Sequence, residues 1–177
     1  MKKVLLAFCA PLVLMLVTSA CGGSSSPKLS ADETKVSHNL VAYYQASSSG
    51  GVPKKAISCF ADKFVHDAGV PALKKAKVVN ADSSVNKQSL QLPPDLAGKF
   101  ADAYLACVDY ASSQAKAMAK QDPKIDEAKL ATCIGKVLDK PTYKRVIVDS
   151  LTKKSEPQLQ KTLTPKLLQC QKDSAKK

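Results

Sequence analysis

Cysteine is the residue type with most chemistry to offer in this 177-residue chain, and its spacing narrows that chemistry at once. The six are Cys9, Cys21, Cys59, Cys107, Cys133 and Cys170. No two stand close enough for a Cys-x-x-Cys redox pair or for the short ligand spacing of a structural zinc site, so no metal and no cofactor is expected at them. Cysteines this widely spread read as disulfide partners in an oxidising compartment. Beyond them the search for chemistry returns little. His38 and His66 fall on predicted helices beside Asn39 and Asp67. A Ser-His-Asp site can be drawn from His66, Asp67 and some serine, but no Gly-x-Ser-x-Gly elbow accompanies it, and solvent-facing or capping histidines are expected. The carboxylate pairs Asp32-Glu33 and Asp126-Glu127 open predicted helices, where negative charge complements the helix dipole without any glycosidase role. Glycine-rich phosphate loops and His-x-x-x-His pairs are missing from the sequence. The expectation is a non-enzymatic chain with no catalytic residue.

The start of the chain says where such cysteines would be used. Lys2 and Lys3 precede an apolar run from Val4 to Val17, and Thr18-Ser19-Ala20-Cys21 is followed by Gly22-Gly23-Ser24-Ser25-Ser26-Pro27. This arrangement resembles a bacterial lipoprotein signal, with Thr18 at a position where such signals usually carry Leu. The resemblance implies cleavage before Cys21, lipidation of Cys21 with diacylglycerol and palmitate, and attachment to the extracytoplasmic face of the cell membrane. A retained transmembrane helix is the first rival, yet Val4 to Val17 reaches roughly 21 Å against a hydrocarbon core of about 30 Å. An ordinary secretory signal cut after Ala20 is the second, and cysteine parity opposes it. Removing residues 1–20 leaves Cys21 with Cys59, Cys107, Cys133 and Cys170, an odd set that would strand a thiol unless Cys21 carries the lipid.

Charge bounds the partners. The chain has 27 basic and 15 acidic residues, and loss of Lys2 and Lys3 lowers its net charge from +12 to about +10. Such a balance favours acidic partners. On an outer membrane face these are anionic lipid or cell-wall polymer, not nucleic acid, beside a possible envelope protein. The lysines are nevertheless scattered, with short runs only at Lys74-Lys75, Lys153-Lys154 and Lys176-Lys177, which also describes a solvated helix surface.

The elements that must hold the cysteines are helical. No stretch alternates with period two, glycine numbers only 7, and the fold class is all-α. Residues 21–29, rich in Gly and Ser, read as a flexible lipidated tether, and residues 30–177 as the helical domain. A capping box at Ser30-Ala31-Asp32-Glu33 opens a helix to about Ala46. Pro53 begins a second, striped by Ile57, Phe60, Phe64 and Val65 and ended by Gly69; a third runs from Pro71 through Val78 or Val79. Asn80 to Pro93 is expected to be a loop. One long helix is expected from Asp95 to about Lys120, then helices around Leu130 to Leu138 and Tyr143 to Leu151, and a last from Pro157 to Lys172 bent at Pro165. Tyr43, Tyr44, Phe60, Phe64, Phe100, Tyr104 and Tyr110 fall mainly on apolar stripes and read as core.

An internal repeat relates the cysteines. Laying Cys107 over Cys170 also pairs Pro94 with Pro157, Leu96 with Leu159, Phe100 with Leu163 and Tyr104 with Leu167. Laying Cys59 over Cys133 pairs Phe60 with Ile134, Phe64 with Leu138 and Leu73 with Ile147. The chain then divides into pseudo-repeats of about 53–120 and 124–173, each a stapled helical unit. Four cysteines allow three connectivities; the repeat favours Cys59 with Cys107 and Cys133 with Cys170, and sequence alone leaves the choice open.

The segments Cys59-Phe60-Ala61-Asp62-Lys63-Phe64-Val65, Asp67-Ala68-Gly69-Val70 and Phe100-Ala101-Asp102-Ala103-Tyr104-Leu105-Ala106-Cys107 resemble small secreted or lipid-anchored proteins of actinobacteria, mostly of uncharacterised function. The resemblance covers about residues 55–173. It implies helical hairpins and disulfides, and carries over no catalytic residue.

Overall fold

A capping box starts the first helix, as its sequence requires. In the computed structural model, which describes residues 27–47, 52–87, 91–154 and 156–176, α1 spans Ala31–Ser47. The Ser30 backbone N–H donates to Glu33 Oε2 at 2.8 Å, and the Glu33 N–H donates back to Ser30 Oγ at 3.3 Å. Two otherwise orphaned amides are thereby satisfied. Helix α2, Lys54–Ala68, follows Pro53 and ends where Gly69 adopts φ +76°, its N–H closing on the Val65 carbonyl. The left-handed turn suits glycine and sends the chain directly into α3, Val70–Lys75.

The third helix is shorter than its sequence suggested. Lys77 takes φ +55°, and Val78 and Val79 leave the helix to become buried. Val79 bridges Val85, and the Asn80 N–H donates to the Ser84 carbonyl at 2.8 Å in a tight turn, so part of the expected loop is a small hairpin. The long helix expected from Asp95 to Lys120 is in fact two, α4 at Pro94–Cys107 and α5 at Tyr110–Gln121. The break is chemical: Val108 is extended, and the Asp109 carboxylate accepts the Ser112 N–H at 3.1 Å as an N-cap. Helices α6 (Glu127–Val137) and α7 (Lys140–Thr152) are each capped the same way, by Asp126 and Asp139. Helix α8, Pro157–Asp173, starts at a proline and runs on through Pro165. The described residues contain no named strand, only isolated bridges at Val79–Val85 and Ile125–Ala175.

Two cores result. The first joins α1, α2, α3 and α4 around Phe60, whose ring lies 4.9 Å from Phe100, 5.4 Å from Tyr44 and 5.8 Å from both Phe64 and Tyr104. Such edge-on and offset arrangements add to plain area burial. The second joins α5, α6 and α8 through Ala111, Ala115, Leu130, Ile134 and Leu138. Helix α7 rests on α4, with Val148 and Leu151 against the first core, and Leu92 donates its N–H to the Leu151 carbonyl at 2.8 Å. Tyrosines connect the cores. Tyr143 lies 6.4 Å from Tyr104 and stacks at 4.3 Å on Tyr110, whose hydroxyl donates to the Leu138 carbonyl.

Each core carries one disulfide. Cys59 of α2 joins Cys107 at the end of α4, with Cα atoms 5.7 Å apart; Cys133 of α6 joins Cys170 of α8 at 5.6 Å. Loops of 48 and 37 residues are closed, each worth about 4 kcal/mol in the chain-entropy description.

Candidate functional site

The position expected to carry lipid, Cys21, lies outside the described residues, as do residues 1–20 and most of the expected tether. The remaining four cysteines are all paired, in the connectivity that the repeat favoured. Matching positions explain the match. Pro94 opens α4 and Pro157 opens α8, and the cysteine follows each after the same interval, placing Cys107 and Cys170 within reach of α2 and α6. Among the described residues, no helix is long and apolar enough to cross a membrane, and no group of three or more His, Cys, Asp and Glu side chains is arranged to hold a metal.

The polar residues on α1 and α2 are arranged for packing. Ser37 is fully buried and its hydroxyl donates to Asp62 Oδ1 at 2.5 Å, tying α1 to α2; Asn39 donates to the Ser83 carbonyl at 2.8 Å. His38 and His66 are both exposed, and Asp67 pairs with Lys63 at 3.6 Å. A nucleophilic serine needs a histidine and an open approach, and Ser37 is sealed against a carboxylate. One member of each carboxylate pair, Glu33 and Asp126, serves as a cap. The Ser30 amide and hydroxyl hold Glu33 below the usual carboxylate range, with a smaller contribution from His66, and the Lys129 amide does the same for Asp126.

A groove of ligand size lies between α7 and α8. Lys153 caps α7 in the left-handed region at φ +53°, and both its N–H and that of Lys154, at 3.1 Å, reach the Asp149 carbonyl. This turn, with the Arg145–Glu156 ion pair at 2.5 Å, sends α8 back past α7. Each helix packs elsewhere: α7 against α4, and α8 against α6 through Cys170 with Leu163 and Leu167. Their facing sides are left as a groove of about 380 Å³. Val146, Leu159, Leu163 and Leu167 supply an apolar floor, and Asp149, Lys153 and Lys154 supply polar groups. Asp149 Oδ2 itself is buried without a hydrogen-bond partner. Lys153 and Lys154 are exposed and form no ion pair among the described residues. Sequence reading used the leucines as positions matched to Leu96, Phe100 and Tyr104 and passed over Asp149. Its one signal was a carboxylate inside an otherwise apolar stripe of α7.

Compared with known proteins, the chain matches no family model, no curated protein and no solved structure.

Proposed function

We propose that this chain is a lipid-anchored, non-enzymatic binding or scaffolding protein on the extracytoplasmic face of a bacterial cell membrane. In this reading residues 1–20 are a leader, Cys21 carries the lipid, residues 21–29 are the tether, and the helical domain meets an envelope partner. The observation that carries the reading is cysteine pairing. All four described cysteines are spent on two disulfides, so Cys21 is the odd cysteine of a chain cut before it, and disulfides of this kind persist in oxidising compartments. Support for an internal duplication comes from the order α1–α2–α3–α4 with an α2–α4 disulfide, followed by α5–α6–α7–α8 with an α6–α8 disulfide. That division differs from units of 53–120 and 124–173, because α5 packs on α6 as α1 packs on α2.

Intact mass of the full chain extracted from membranes, with and without reduction and alkylation, tests the proposal. The expected mass is that of residues 21–177 plus acyl groups, gaining four alkylations only after reduction. An unacylated chain, or cysteines alkylated without reduction, removes the anchor and the compartment together. A second reading, attraction to anionic lipid or wall polymer through the basic surface, is favoured by the unpaired Lys153 and Lys154. Its mark is affinity that falls steeply with salt, because exposed charges are screened within about 10 Å at 0.1 M.

A further inference from the structure

Four lysines gather where α3 ends. Lys74 and Lys75 close the helix, the Lys77 N–H turns back to the Lys74 carbonyl at 3.0 Å, and the hairpin register that pairs Val79 with Val85 sets Lys87 opposite Lys77. All four are exposed, and none forms an ion pair among the described residues. Asp82 is the only acid between Gly69 and Lys87, and Ser84 satisfies its carboxylate at the far tip of the hairpin. Complementing the helix dipole needs one such lysine on the last turn, and Lys87 is not on the helix. Lys77 also works against the fold. It takes φ +55° at the turn where the Val78 N–H closes on the Leu73 carbonyl at 2.9 Å, a left-handed position that glycine fills without steric conflict.

The patch stands at one end of the first core. Helices α1 and α2 run antiparallel, since Ser37 meets Asp62 and Glu33 lies near His66, so the start of α1 is level with Gly69. From Gly69 the six residues of α3 advance only about 9 Å. The lysines therefore lie on the side where residues 21–29 join the domain, and that stretch of chain reaches at most about 30 Å. Of the acids at this end, Asp67 pairs with Lys63 at 3.6 Å and Glu33 closes the α1 cap, which leaves Asp32 to offset the four lysines. We propose that Lys74, Lys75, Lys77 and Lys87 form a contact surface for the anionic phospholipid headgroups of the membrane that holds Cys21, a second signal beside the lipid. The proposal rests on the lipid-anchored reading for what keeps the patch at the bilayer. A soluble wall polymer would meet any face of the domain, whereas a short tether presents this one. Each lysine brought to an anionic leaflet adds about fivefold to the attraction.

The test is lysine labelling of the full chain extracted from membranes and reconstituted into vesicles. One set of vesicles mixes phosphatidylglycerol with phosphatidylcholine, and the other is phosphatidylcholine alone. An impermeant amine-acylating reagent is applied, and peptide masses give the rate at each lysine relative to Lys136 and Lys161, which are exposed on α6 and α8. Lys74, Lys75, Lys77 and Lys87 should slow by about tenfold or more on the anionic vesicles only, and recover at about 1 M salt, where screening falls to about 3 Å. Lys77→Gly should cut the protection of the other three by about fivefold and raise the thermal midpoint by relieving the left-handed turn. Equal rates on both kinds of vesicle overturn the proposal, and so does slowing that includes Lys136 and Lys161, which would be attraction through the whole surface. Poly(glycerol phosphate) in solution protecting the four lysines as well as the vesicles do also overturns it, by making a polymer the partner. Intact mass of the same sample reads acylation of Cys21 separately. An acylated chain with unprotected lysines ends the patch and leaves the anchor, whereas an unacylated chain still protected by added anionic vesicles ends the anchor and supports the patch.

Discussion

At Ser37, a hydroxyl with no exposure at all meets a carboxylate across two helices, and losing either partner leaves the other unmet. Ser37→Ala should lower stability by about 1–3 kcal/mol by leaving Asp62 without its donor, and Asp62→Ala by a similar amount by orphaning the buried hydroxyl. The double change to Ala should cost less than the two single changes added together; urea unfolding midpoints of the three variants give the comparison. The titration limits are also set by single residues. Asp82, Asp109, Asp126, Asp139 and Glu33 accept local hydrogen bonds that hold their carboxyls below the usual range. A depressed folded value stabilises above the unfolded pKa, near 4, and is lost as pH falls through the folded one. Burial pushes the Tyr44, Tyr104 and Tyr143 hydroxyls up, and a raised folded value stabilises below the unfolded pKa, near 10, and is lost as pH rises beyond it. The thermal midpoint should therefore be level across neutral pH and fall below about 4 and above about 10; a midpoint that peaks sharply near pH 7 would assign the control to the histidines instead.

Among the elements, the legible ones announced their ends. Ser30 with Glu33, Gly69 after α2, and the prolines opening α4 and α8 are signals within a few residues of sequence, and each element begins or stops where they stand. The α4–α5 break was hidden because hydrophobicity continues across it: Val108 and Tyr110 are both buried, so the stripe looks unbroken while Asp109 caps a new helix between them. The Val79–Val85 pairing was hidden for a different reason, since two short extended segments give no period to read. Helix α7 stands where Tyr143 to Leu151 placed it, and what its sides touch was not legible. It uses Val148 and Leu151 against α4 and turns Val146 to the groove, and a single apolar face cannot be assigned from spacing when a helix has two neighbours. Two changes probe these elements. Asp109→Ala should cost about 1 kcal/mol through the lost cap, and Pro165→Ala should raise stability by about 1–3 kcal/mol by restoring an amide inside α8, both measured by chemical denaturation.

Over the whole molecule, the disulfide pairing was legible because Cys107 and Cys170 stand at the same interval after Pro94 and Pro157, whereas the way two cores share the eight helices of the described residues was not. Packing between α4 and α7 joins distant parts of the chain and leaves no trace in local pattern. Replacing Cys59 and Cys107 together by Ala should lower stability by about 4 kcal/mol at most, and replacing Cys133 and Cys170 by nearly as much. Unfolding followed at tyrosine fluorescence and by circular dichroism should lose one core before the other if each disulfide serves its own half; coincident loss in both variants would show that the tyrosine contacts weld the cores into one cooperative unit.

The placement of the two disulfides also decides how the domain bears a pull along its chain. Helix α1 precedes Cys59, so tension entering from the N-terminal side meets α1 first, and α1 can peel away before either crosslink is loaded. Beyond that point the force passes from Cys59 directly to Cys107 and from Cys133 directly to Cys170, and the 48- and 37-residue loops between them add no length. Pulled from its two ends, a domain built this way is a short-stroke spring: it yields outside the crosslinks, at α1 and at α5, and then stiffens where the two loops are closed.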